Sequence, residues 1–146
     1  MFEILKTAGS ALTAQRLRMD VIASNLANAE ATSTPEGGPY KRERVVFGPA
    51  LRTTMSKLGE SASSVTSGAA PGGVEVRAIV KDDEEPRMVL DPTHPDADAD
   101  GFVAYPNIDL VTEMTDMLSA SRSYEANITI VNVAKSMAQR ALDIGR

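Results

Sequence analysis

The sequence predicts an α+β protein: two long terminal helices pairing as an antiparallel coiled coil, with a small β-rich insertion between them. Three observations predict it. Apolar residues recur at heptad spacing along both ends of the chain. The two seams match in type although they lie far apart in sequence, as expected of helices that cover each other. Between them the apolar period changes from 3.5 to two.

The C-terminal element is the longer. Leu110, Met114, Met117, Ser121, Tyr124, Ile128, Val131, Lys135, Ala138 and Leu142 step by four and three, and only Ser121 and Lys135 interrupt the apolar seam. Asn107, after Pro106, is expected to cap the helix, and Asp109, Glu113 and Asp116 sit near the positive end of its dipole. Gly145 is the expected stop. A helix from Ile108 to Asp143 would be roughly 54 Å long, whereas a compact domain of this size has a radius of gyration of about 15 Å. The helix must protrude, and its seam needs a partner.

Residues 2–29 supply one. Leu5, Ala8, Leu12, Gln15, Met19, Ile22, Leu26 and Ala29 repeat the three-and-four spacing, with Gln15 alone polar. Small residues, Ala8, Ala11, Ala14, Ala23 and Ala27 in the first helix and Ala120, Ala126, Ala134, Ala138 and Ala141 in the second, would let the helices approach closely. Ile130, Val133, Met137 and Ile144 fall off the C-terminal seam and predict a second apolar face, available to other molecules.

In the middle, Thr32–Pro39 reads as a hinge rich in Pro and Gly. Tyr40–Phe47 reads as a strand with a basic start at Lys41, Arg42 and Arg44. Residues 56–73 are Ser- and Gly-rich and read as a flexible loop. Val74–Val80 alternates like a half-buried strand, with Val74, Val76, Ala78 and Val80 on the inner side. An acidic turn, Lys81–Pro86, leads to two short strands, Arg87–Leu90 and Phe102–Tyr105. The chain thus divides into a terminal helical part, 1–34 with 107–146, and a β-rich insertion, 35–106.

Composition narrows the function. The net charge is −5, without the basic excess of a nucleic-acid binder. The insertion carries eight basic and twelve acidic residues, whereas residues 1–34 carry three of each, so the helical part is near-neutral and tolerates dense packing. There is no Cys, hence no disulfide or thiolate metal site. No apolar run reaches the 18 residues of a membrane span, and the N-terminus lacks the layout of a cleaved signal; by composition alone the chain reads as cytoplasmic.

Chemistry-bearing motifs are sparse. Asp96, Asp98, Asp100 and Gly101 match the start of an EF-hand loop, but its twelfth position holds Asn107 in place of Glu, and Pro95 and Pro106 break the flanking helices. The cluster is expected to be a turn rather than a metal site. His94, the only histidine, stands among prolines as a turn residue. No nucleophile elbow, Walker loop or zinc spacing occurs, so no enzyme and no cofactor are expected. Arg122, Tyr124, Glu125 and Asn127 form a polar group within the long helix. It is either a solvated face with Arg122 paired to Glu125 or a set that fixes register between neighbouring helices.

Several of these stretches resemble one family. Ser10-Ala11-Leu12-Thr13-Ala14-Gln15, Met19-Asp20-Val21 and Ala23-Ser24-Asn25-Leu26-Ala27-Asn28-Ala29 are similar to the N-terminal signature of flagellar rod and hook axial proteins. Arg122-Ser123-Tyr124-Glu125-Ala126-Asn127 resembles their C-terminal signature. Asp91 to Asp98, Pro106-Asn107, Pro39 to Arg42, Val45 to Phe47 and the ending Ala141 to Arg146 resemble a rod protein of the basal body, with Phe102 where that pattern has Tyr. The resemblance covers most of the chain but does not extend to residues 48–73.

The resemblance implies a structural subunit of the proximal rod, the drive shaft crossing the periplasm. Its partners would be itself and other rod subunits in a helical assembly, and the flagellar export apparatus, which passes such chains unfolded and without signal cleavage. It implies no nucleic acid, no small-molecule substrate and no direct membrane insertion. The assembly residues expected are Leu5, Leu12, Met19, Ile22, Asn25, Leu26, Asn28, Met114, Met117, Arg122, Tyr124, Glu125, Asn127, Ile128, Val131, Met137 and Leu142. The competing readings are a soluble coiled-coil adaptor and a small calcium-binding module. The second apolar face favours the axial subunit, because a simple hairpin needs only one seam.

Overall fold

The computed structural model describes residues 2–51 and 71–144. The elements follow in the order α1 (Phe2–Ala27), β1 (Glu43–Leu51), β2 (Pro71–Lys81), β3 (Arg87–Leu90), β4 (Phe102–Tyr105) and α2 (Leu110–Ile144). The class is α+β: two long helices and two small antiparallel sheets. β3 and β4 occupy the residues that the sequence predicts. The first predicted strand is displaced, from Tyr40–Phe47 to Glu43–Leu51, because Tyr40 and Arg42 serve the helix pair instead. Residues 71–73, predicted as loop, belong to β2; the rest of that loop, 56–70, and Gly145 lie outside the described residues.

Asp109, not Asn107, caps α2. Its carboxylate accepts from the Val111 amide (3.1 Å) and from Thr112 Oγ1 (2.6 Å), which satisfies donors that a helix start leaves open. Asn107 donates to Glu84 Oε2 (2.8 Å) and ties the acidic turn to the helix start.

The helices run antiparallel. Asn25 bonds Glu113, Arg18 pairs with Asp116, and Ile4 and Ala8 meet Asn127 and Ile130. The face of α2 turned to α1 differs from the predicted seam. Glu113, Ala120 and Ala134 are buried, and Met117, Tyr124, Asn127, Val131 and Ala138 are half-buried. These also step by four and three, but along a ladder that shares only Met117, Tyr124, Val131 and Ala138 with the prediction. Leu110, Met114, Ile128, Lys135 and Leu142 point away and are exposed. Small size decides it: Ala120 and Ala134 let the two backbones close in, whereas the long side chains would hold them apart.

α1 has a second neighbour. Ser10, Thr13, Ala14 and Leu17 lie against Val74–Val76, so the β1–β2 sheet rests on α1. Of the predicted inner row of β2, only Val76 is half-buried. Ala78 and Val80 are exposed, since the strand outruns the helix that covers its start, and Val74 is exposed although it lies beside α1. β1 and β2 pair from Glu43↔Lys81 to Leu51↔Pro71, with a shift between Val46 and Phe47 that leaves Arg77 unpaired. Gly48 faces that shift, and a Cβ there would collide with the Arg77 side chain.

The β3–β4 hairpin pairs Arg87↔Tyr105 through Leu90↔Phe102. Its Val103 is fully buried, and its loops moor it to the rest of the chain. Thr32 Oγ1 donates to Asp96 Oδ2 at 2.7 Å. Among the described residues no helix is long and apolar enough to cross a membrane.

Candidate functional site

Where α1 ends and α2 begins, the apolar helix pair gives way to a polar clasp. Asn25 is 1% exposed. Its Nδ2 donates to the Glu43 carbonyl (2.8 Å) and to Glu113 Oε2 (3.2 Å). Its Oδ1 accepts from the Glu43 amide (2.9 Å) and from the Tyr40 hydroxyl (3.2 Å). Both donors and the carbonyl oxygen are therefore satisfied. One side chain joins α1, α2 and the first residue of β1.

Glu113 is equally buried, and a lone carboxylate there would be costly. Arg42 neutralises it, placing Nε and Nη2 each 2.6 Å from Oε1. Arg42 also lies 3.8 Å from Asp116, which Arg18 approaches at 3.2 Å. The chain of charges Arg18, Asp116, Arg42, Glu113 crosses between the helices and ends on Asn25. Because the hydrogen-bond geometry is directional, a one-turn slip of either helix would strand Glu113, so the clasp fixes register.

Of the expected assembly residues, Asn25 and Ile22 are buried. Leu5, Leu12, Met19, Leu26, Asn28, Met117, Tyr124, Asn127 and Val131 are half-buried along the helix pair. Met114, Arg122, Glu125, Ile128, Met137 and Leu142 are exposed. Asn28 and Asn127 donate to carbonyls of their own helices, Ser24 and Ser123, rather than across the pair. Arg122 and Glu125 are exposed, as a solvated face requires, but form no ion pair with each other. Sequence reasoning missed Glu113, Arg42 and Tyr40 as a unit. The available signal was an acid standing three and seven residues before Asp116 and Ala120, on the alanine side of the helix.

The EF-hand-like aspartates serve turns. Asp96 accepts from Thr32, and Asp98 Oδ1 accepts from the Ala99 amide at 2.6 Å. His94 Nδ1 accepts from the Asp96 amide (3.1 Å), with its ring edge-on to Tyr105. Two hydrogen bonds, first from the Thr93 hydroxyl and then from its amide, hold the Asp91 carboxyl below the usual range. Among the described residues no three Asp, Glu or His side chains converge as metal ligands would.

Both helices bearing the clasp belong to flagellar basal-body rod proteins as a class. Residues 5–33 match the family model described as flagella basal body rod protein, and residues 99–144 match the C-terminal model of the flagellar basal body rod FlgEFG proteins. The flagellar basal-body rod protein FlgC of Borreliella burgdorferi is 44% identical over 148 residues, covering 99% of this chain and 97% of the relative. FlgC of Bacillus subtilis is 44% identical over 155 residues (99% and 98%), and FlgC of Salmonella typhimurium 40% over 146 (100% and 98%). The chain belongs to the FlgC family: it is a structural protein of the flagellar basal-body rod.

Proposed function

We propose that this chain builds the proximal rod, polymerising through its terminal helices with copies of itself and with other rod subunits into the shaft that transmits motor torque. The outer surface of α2 carries the reading. Leu110, Val111, Met114, Leu118, Val133 and Met137 stay exposed although α1 already covers one face. A helix with a single partner would be polar there. The helices pair as a coiled coil along the ladder from Glu113 to Ala138, the clasp setting its register. Residues 1–34 and 107–146 form the polymerising part. Residues 35–106, with the Ser/Gly-rich stretch at 56–73, form the outer part. The chain reaches the periplasm unfolded through the flagellar type III export apparatus, without signal cleavage.

The test replaces the native chain by Met114→Asp or Met137→Asp in flagellated cells. Purified variants should melt like the parent, since these side chains touch little within the subunit, while rods and swimming are lost. If both variants still build rods, the outer face of α2 is not the assembly surface.

A further inference from the structure

Charge is not spread evenly along the chain. Residues 82–105 hold eight acids and a single cation, Arg87, a net charge of −7 against −5 for the whole chain, so the other residues together carry +2. Within this acidic segment lies the β3–β4 hairpin, and its two faces differ. Residues opposite each other in an antiparallel pair point to one side, and neighbours along a strand alternate. Arg87, paired with Tyr105, and Val89, paired with Val103, therefore share one face, where Val103 is fully buried. Met88, paired with Ala104, and Leu90, paired with Phe102, share the other. On that second face Met88, Leu90 and Phe102 are 40–62% exposed. A two-stranded ribbon is marginal in water unless it is covered, and large apolar side chains grouped on a bare face mark a contact surface. Acids stand at both ends of it: Glu84 and Glu85 before β3, Asp98 and Asp100 before β4, all exposed. The nearby cations are engaged. In the cleft beside Pro86 and Pro106, Lys41 is held by Asp83 at 3.1 Å and Arg42 by Glu113. Arg87 lies 6.0 Å over the Tyr105 ring, on the opposite face.

Resting on the reading that residues 35–106 form the outer part of the rod, we propose that this hairpin face docks a protein other than this chain, one that presents apolar side chains ringed by Lys and Arg. The apolar face supplies the contact, and the acids at its two ends select a basic rim and reject an acidic one. A second copy of the chain is a poor match. Its exposed sheet residues Val46, Ile79 and Val80 are flanked by cations that already hold acids. Arg44 pairs with Asp82 at 3.6 Å, Arg77 with Glu75 at 3.8 Å and Lys81 with Glu36 at 2.7 Å. The outer face of α2, where Lys135 and Arg140 stand near Val133 and Met137, is covered by other helices on the rod reading. Two hairpins would meet acid against acid, and anionic lipid headgroups are repelled for the same reason.

The purified full chain should be titrated with a short peptide of alternating Lys and Leu, and with one of alternating Glu and Leu. Amide NMR shifts at residues 87–90 and 102–105 are expected with the first and not with the second. Leu90→Ser should weaken binding about tenfold or more, and so should Glu85→Lys combined with Asp100→Lys. All three positions are exposed, so melting should stay that of the parent. Equal binding of both peptides, shifts confined to other residues, or variants that bind like the parent overturn the proposal. In flagellated cells a photoreactive benzophenone side chain replaces Phe102, and isolated basal bodies are illuminated. The expected cross-link is to a different protein, on a segment where apolar residues stand among Lys and Arg, and it should fade when Glu85→Lys and Asp100→Lys are added. A cross-link to a second copy of this chain or to an acidic segment overturns the proposal, as does a chain present in basal bodies that forms no cross-link. Absence of even the parent chain from basal bodies overturns the rod reading, and the peptide titration then decides the docking by itself.

Discussion

Asn25 shows what one side chain contributes when every hydrogen-bonding site on it is used. It holds both the amide and the carbonyl of Glu43, so the first residue of β1 is fixed to α1, and through Glu113 the same amide fixes α2. Buried polar networks are stable only when complete, because each stranded group bears its full desolvation cost. Glu113→Ala should therefore leave Arg42 with only Asp116, at 3.8 Å, and free one Asn25 proton. Breaking a buried ion pair costs about 3–5 kcal/mol, and the low end applies here because the Arg42 side chain is 25% exposed. Urea unfolding should show a loss of about 3 kcal/mol on that basis; a loss below about 1 kcal/mol, the worth of an exposed pair, would show that the clasp is solvated. Asn25→Ala should cost about 1–3 kcal/mol through the Glu43 backbone left unpaired, while the Tyr40 hydroxyl keeps Ser24 Oγ at 3.4 Å.

At the scale of the element, α2 is defined by its cap and by which ladder faces α1. The Thr112 hydroxyl, and after it the Val111 amide, hold the Asp109 carboxyl below the ordinary carboxylate range. A carboxyl so lowered stabilises the folded state above its unfolded pKa, and the contribution is lost as pH falls through the folded value. The first turn of α2 should fray in that acidic window. Thr112→Val should raise the Asp109 midpoint measured by NMR titration; an unchanged midpoint would mean the hydroxyl does not hold the cap. The facing ladder is tested by size. Ala120→Leu has no room between the backbones and should destabilise the monomer by about 1–3 kcal/mol, whereas Met114→Ser, on the outer face, should stay within about 0.5 kcal/mol. The reverse ranking would restore the seam that runs through Met114 and Ser121. Alternate positions of that seam, Met114, Ser121, Ile128 and Lys135, fall one residue off the facing ladder because α2 is apolar on several sides, and periodicity alone cannot choose between adjacent ladders. Hydrophobicity favours Leu110, Met114 and Ile128 for the inside, but closeness of approach selects Ala120 and Ala134. The short strands β3 and β4 were legible because turn residues bound them on both sides. The clasp was not, because Arg42 and Glu113 meet across 71 positions and nothing local pairs them.

For the whole molecule the same facts set a gradient of order. α1 has 26 residues and α2 has 35. With Asn25 set against Glu113, the last two turns or so of α2 run past the start of α1, leaving Met137 and Leu142 without cover inside the subunit. Helical segments that lack tertiary packing are marginal in water. The clasp end is the opposite case, with buried Ile22, Asn25, Glu113 and Ala120 all within a few turns. Opening free energies within one fold range from near zero to the global value, following burial. Amide hydrogen exchange of the purified subunit should accordingly be slowest around residues 18–25 and 113–124, and should quicken steadily along α2 toward 137–144. In isolated rods, where neighbours cover the exposed outer face of α2, the slow zone should extend to the end of α2. Uniform protection along α2 in the monomer would show that the helix is self-sufficient. Fast exchange at 137–144 in the assembled rod would show that this end of α2 is left bare there, and that assembly uses some other surface.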